Sequence, residues 1–234
     1  MKLKAAQGSQ EMQDALRHPH VRKIVNILLQ IIETDKNLFK FVAIFLKRYN
    51  QRLQPKFMES LAAIRTYSKL YLNENGQLVP PMYVEELIQT LESLYQQHEK
   101  VVGFQRGAIV ELLATELVCP RYKRGECSDN QSFHDEQSPY RSSQVDVAVL
   151  SRSQQKIEGY TCKMQANKIE SADCTNLTAL ADMAERRGYR VHVGVVSFDN
   201  TRLIKSKIEE LPLTRHIDAY GADNFLKLRE SPFK

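Results

Sequence analysis

Three side chains in this 234-residue chain have types and settings suited to chemistry: Asp146, Lys163 and Glu111. Asp146 lies near the start of an apolar run, residues 143–150. Alternation along a strand places Val145, Val147 and Val149 on one face and Asp146, Ala148 and Leu150 on the other. Lys163 lies in a second run, residues 156–166, with Thr161 and Gln165 on its face and Tyr160, Cys162, Met164 and Ala166 on the opposite one. A charged lysine thus lies in the middle of a strand, next to a strand carrying an aspartate, a placement that can be functional. The same pair can also be an ion pair guarding a half-exposed sheet edge. Glu111 falls on a helical stripe with Gly107, Ala108, Ala114 and Val118, small residues that let a helix approach a sheet closely. An acid on a close-packing stripe needs a partner or a metal. Glu116 occupies the same largely apolar helix, and periodicity does not choose between the two acids.

The elements that must position these residues come from two regions of different pattern. Over residues 9–100, apolar side chains recur at helical spacing, as in Val21, Ile24, Val25, Leu28, Ile31 and Ile32, and again in Phe39, Phe41, Val42, Phe45 and Leu46. Asp35 to Asn37 separates the first two helices, Gln54-Pro55 opens a third that Asn73 to Gly76 ends, and Pro80-Pro81 introduces a fourth. Four helices ending near Val102 are expected, as a helical domain over residues 1–102. Residues 103–234 alternate helix and strand as an α/β layer does: a helix over 105–118, a long polar loop over 120–144, strands at 143–150 and 156–166, a helix over 176–187 stopped by Gly188, a valine strand at 190–198, a helix over 201–211 and a short strand at 216–220. The fold class is therefore α/β (α+β), a helical bundle followed by a mixed central sheet flanked by helices.

The order of a helix with Arg106-Gly107 and Glu111, then Val145-Asp146-Val147-Ala148-Val149, then Tyr160-Thr161-Cys162-Lys163, then an amphipathic helix and a valine strand, resembles the PD-(D/E)XK nuclease superfamily. That superfamily includes restriction enzymes and Holliday-junction resolvases, and the likeness covers roughly residues 103–198. The resemblance implies a restriction endonuclease-like core that hydrolyses DNA phosphodiester bonds with Mg²⁺ or Mn²⁺. Asp146 would be the principal metal ligand, the Cys162 backbone carbonyl would complete the shell, Glu111 would hold the metal through water, and Lys163 would position the attacking water. Gln165 lies where a polar residue often follows the lysine. Thr161 stands where the family places an acid, and a hydroxyl is a far poorer ligand for a hard cation than a carboxylate. Glu158, through a bulge near Gly159, and Glu170 or Asp173 on the next helix are the candidates to replace it. The alternative reading is an inactive module of the same fold that binds nucleic acid or a protein.

The polar stretch 120–144 carries Arg121, Lys123, Arg124 and Arg141 with Tyr122 and Tyr140 interleaved, a pattern suited to a phosphate backbone or to a solvated loop. The net charge of +5 permits a polyanionic partner such as DNA without requiring one. A homodimer, which lets two sites address two strands, is compatible with this reading. No apolar run is long enough to span a bilayer, and residues 1–11 lack the apolar core of a signal peptide, so a cytoplasmic protein with no membrane partner is expected. Cys119, Cys127, Cys162 and Cys174 show no CxxC pairing and are expected as thiols. Cys119, Cys127 and His134 form a weak zinc alternative.

Overall fold

The computed structural model describes residues 1–5, 10–72, 78–79, 81–135, 142–211 and 215–233, and of residues 5, 71, 72, 78, 79, 142 and 143 the backbone only. The chain divides into two compact units, Gln10–Ile109 and a second made of Met1–Ser9 with Val110–Lys234. The division falls inside a helix at 109/110, not at 102/103. In chain order, β1 (Lys2–Ala5) belongs to the second unit, and the first holds α1 (Gln10–Arg17), α2 (Pro19–Thr34), α3 (Lys36–Arg48), α4 (Phe57–Tyr67), the short strands β2 (Tyr71–Leu72) and β3 (Leu78–Val79), α5 (Met82–Leu94) and most of α6 (Glu99–Val118).

Local chemistry sets each break. His18 caps α2 and Pro19 occupies its first turn, where a missing N–H costs nothing, so one expected helix becomes two. Asp35 ends α2 and caps α3: its carboxylate accepts the Leu38 N–H at 3.1 Å and the Lys69 N–H at 3.0 Å. That second bond diverts the chain after Ser68, so the third expected helix stops at Tyr67 instead of reaching Asn73. The buried Arg106 guanidinium satisfies carbonyls in the last turn of α3, Leu46 at 2.6 Å and Lys47 at 2.9 Å. Phe45, Tyr49, Phe57 and Tyr95 interlock at ring separations of 4.9–5.7 Å, and the Tyr95 hydroxyl donates to the Tyr49 carbonyl at 2.8 Å. All six apolar positions picked out on α2 are buried.

The second unit is built on a six-stranded sheet in the order β1-β4-β5-β6-β7-β8, where β4 is Cys127–His134, β5 Ser142–Ser151, β6 Lys156–Lys163, β7 Arg190–Ser197 and β8 Asp218–Tyr220. The first four strands pair antiparallel, and β6, β7 and β8 run parallel. This is the mixed α+β sheet expected. The parallel steps cross over through α7 (Ser171–Arg186) and α8 (Thr201–Glu209). Gly159 lets α7 lie close on the sheet, since a Cβ there would meet Leu180 Cδ2 at 2.3 Å. Glu170 and Asp173 start α7 as a reciprocal capping box, so the helix begins five residues before the expected 176. Gly188, at φ 74°, ends it.

The structure departs from the sequence pattern at two further places. The loop 120–144 contains strand β4, whose Ser, Asp, Asn and Gln side chains give no strand signal but which pairs with β1 and β5 on its two edges. Cys119 and Cys127, expected as thiols or zinc ligands, form a disulfide with Cα atoms 5.2 Å apart, because the turn through Gly125 (φ 88°) folds the two back together. Cys162 and Cys174 are free. Among the described residues, no helix is long and apolar enough to cross a membrane.

Candidate active site

Asp146 sits where the sheet's regularity fails. The β5–β6 register runs from Ser151↔Lys156 to Val147↔Tyr160 and stops, and the β4–β5 register skips the Asn130–Asp146 step, where Asn130 has φ 43°. Val145 packs with Ala148 and Leu150 in the core beneath α7, so the strict alternation expected of β5 changes phase around Asp146. Outside both ladders, the carboxylate ties β5 to β6 itself: Oδ2 accepts the Cys162 backbone N–H at 2.6 Å. Burial pushes the Asp146 carboxyl up to about 6, with the Cys162 N–H and Lys163 acting against the rise and Asp173 adding to it.

Glu111 comes to the same place from α6. It is 4% exposed, and its Oε1 has no hydrogen-bond partner. Burial, then the charges of Asp146 and Asp129, push its carboxyl up to about 9. The periodicity that left Glu111 and Glu116 undecided is resolved by burial, since Glu116 is exposed. Lys163 ends β6 and pairs with Asp173 in the first turn of α7, Nζ to Oδ1 at 2.8 Å. The Cys162 thiol is raised far above its ordinary value by burial, then by Asp146 and Glu111. Glu111, Asp146 and Lys163 thus share one electrostatic neighbourhood, joined by Asp173 and by Asp129. Asp129 was missed: it lies on β4, read as loop, and its only sequence signal was an acid among polar residues.

The remaining candidates are placed elsewhere. Gln165 lies two residues beyond the end of β6, on the bend before a 3-10 turn, and so does not share a strand face with Lys163. Thr161 is buried at 4% exposure. Glu158 is fully buried and engaged away from Asp146: Arg121 meets it at 2.6 Å, and the Tyr122 and Tyr160 hydroxyls both donate to it. The β6–β7 register is unbroken through Gly159, so no bulge turns Glu158 toward the acids. Arg121 is held in that buried pair and also donates to the Glu230 carbonyl at 3.0 Å, whereas Lys123 and Arg124 are exposed. Arg141 lies outside the described residues. Glu170 is committed to capping α7, which leaves Asp173 as the acid of that helix beside Lys163.

Among the described residues, no group of three or more His, Cys, Asp or Glu side chains is placed so that it could hold a metal ion. Mg²⁺ commonly uses one or two carboxylates and keeps several waters. The unpartnered Glu111 oxygen and the neighbouring Asp146 are hard oxygen donors whose raised values reflect the cost of charge in a buried setting. Positive charge beside them would offset that cost.

Fold and geometry together define an α+β protein with acids and a lysine gathered around a distorted central strand. No family model and no curated protein sequence matches the chain. Among solved structures, Can2 from Sulfobacillus thermosulfidooxidans in complex with cyclic tetra-adenylate matches with a TM-score of 0.37 at 13% identity, over 97% of this chain and 54% of that one. The chain spans about half the length of that structure, and a likeness this slight carries no information on activity or ligand.

Proposed function

We propose that this chain is a metal-dependent deoxyribonuclease, using Mg²⁺ or Mn²⁺ at Glu111 and Asp146 with Lys163 beside them. The observation that carries the reading is the buried, unpartnered Glu111 oxygen next to Asp146. A buried carboxylate oxygen left without a hydrogen-bond donor calls for an explanation, and a bound cation supplies one. Asp146 and Glu111 hold the metal, helped by the Cys162 carbonyl. When bound, the metal supplies a Lewis acid for the phosphate and lowers the pKa of its water. Lys163 orients the attacking water and balances charge on the phosphate, and Asp173 fixes the ammonium by their 2.8 Å pair. Lys123 and Arg124, both exposed, hold the DNA backbone.

The test is cleavage of supercoiled, single-stranded and branched DNA with Mg²⁺ or Mn²⁺. Metal-dependent cutting that is lost in Asp146→Ala and in Lys163→Ala supports the enzyme. A second reading, an inactive nuclease-fold module, is favoured by Thr161 itself, because a buried hydroxyl cannot replace a carboxylate. No cutting by the natural chain, with cutting gained in Thr161→Glu, would select it.

A further inference from the structure

The helical unit holds a cavity of about 390 Å³ lined by α1, α6 and the turn before α6. That is within the size range of small-molecule sites. Ala15, Val101 and Phe104 give it apolar walls. One lining residue sets the chemistry. Gln105 is 1% exposed, and its Nε2 donates to Gln97 Oε1 at 3.0 Å, but its own Oε1 has no hydrogen-bond partner. A buried acceptor left without a donor is costly, and a ligand N–H would relieve it.

The charges around the cavity narrow the class further. Among the described lining residues, Glu11 and Asp14 stand with one lysine, Lys100, whose Nζ lies 3.6 Å from Glu11 and 5.9 Å from the centre of the Phe104 ring. The Phe104 ring therefore already faces one cation. His18, also in the lining, is held below the usual imidazole range by burial and by His20, so it adds no positive charge near neutral pH. Two carboxylates against one ammonium among the described lining residues disfavour an anion.

We propose that this cavity binds a flat cation rich in N–H donors, a guanidinium or amidinium carried on an apolar body. One N–H meets Gln105 Oε1, the apolar body packs against the walls given by Ala15, Val101 and Phe104, and the charge is balanced by Asp14 at the rim. The site lies wholly in the helical unit and is independent of the nuclease reading.

The test is ligand-observed NMR and calorimetric titration of the full chain with benzamidine, with benzamide and benzoate as the neutral and anionic analogues of the same shape, and with N-acetylarginine amide as the arginine-like form. Benzamidine is expected to bind at least about tenfold tighter than benzamide, with benzoate weakest. Asp14→Asn, at an exposed position, is expected to weaken benzamidine about tenfold. Val101→Trp, which fills the cavity from a residue 42% exposed, is expected to abolish binding while circular dichroism shows a folded chain. Benzoate binding as tightly as benzamidine, no saturable benzamidine binding, or affinity unchanged in Asp14→Asn would each overturn the proposal. N-acetylarginine amide binding like benzamidine assigns the site to arginine-like ligands; benzamidine alone binding assigns it to amidinium small molecules.

Discussion

At the scale of single residues, Glu111 is the most informative side chain, because its burial and its acidic neighbours act in the same direction. A carboxyl whose value is raised on folding, here to about 9, binds its proton more tightly in the folded state than in the unfolded chain, where the ordinary value is about 4.3. The folded state is therefore favoured most below the unfolded value and loses stability as pH rises toward 9. Glu111→Gln carries no charge at any pH, so its advantage over the natural chain is expected to grow between pH 5 and pH 8. Urea midpoints of both proteins at the two pH values check this, and an equal gap at both would refute the assignment. Mg²⁺ should also raise the melting temperature of the natural chain at pH 8 but not that of Glu111→Gln, if the acid is a ligand. Glu158 makes the opposite case. Its pair with Arg121 is buried, so Glu158→Ala leaves an uncompensated guanidinium and is expected to cost about 3–5 kcal/mol, most of it recovered when Arg121→Met is added. Denaturation of the single and double variants measures the difference.

At the scale of elements, the strongly patterned pieces were legible and the ones held by their neighbours were not. The spacing of Val21, Ile24, Leu28 and Ile31 announces α2, and the valines of residues 190–197 announce β7, because each buries an apolar face of its own. β4 carries no strand signal of its own, since Cys127–His134 has little to bury; it is a strand because β1 and β5 supply its hydrogen bonds. The acids of the site were partly legible for the same reason. Asp146 stood out as a charge in an apolar strand, whereas Asp129 sat among polar residues, and the phase change at Asp146 depends on ladders that no single strand encodes. The start of α7 carries its own consequence. Glu170 and Asp173 cap each other's backbone, so Glu170→Ala and Asp173→Ala are each expected to cost about 1 kcal/mol. If Asp173 also fixes Lys163, only Asp173→Ala should abolish metal-dependent cutting. Cutting lost equally in both would reduce Asp173 to a cap.

At the scale of the whole molecule, 33 basic residues against 28 acidic ones leave a modest charge, so any hold on DNA depends on where the basic groups stand. The turn between Cys119 and Cys127 concentrates them and is closed by the disulfide. Of its three basic residues, Arg121 is neutralised by Glu158 inside the fold, which leaves exposed Lys123 and Arg124 to meet phosphates. Closing a loop of this length is worth about 2–3 kcal/mol in unfolded-chain entropy. Reduction, or Cys119→Ser, is therefore expected to lower stability by that amount, read from denaturation with and without a dithiol. On the proposed reading, replacing Lys123 and Arg124 together by alanine removes two phosphate contacts, and the slope of log affinity against log salt should fall by about 2, to the same degree for unrelated DNA sequences. Fluorescence titrations across a salt series measure that slope. A slope unchanged by the double substitution would take this turn out of the DNA contact and leave the remaining surface lysines and arginines to account for it.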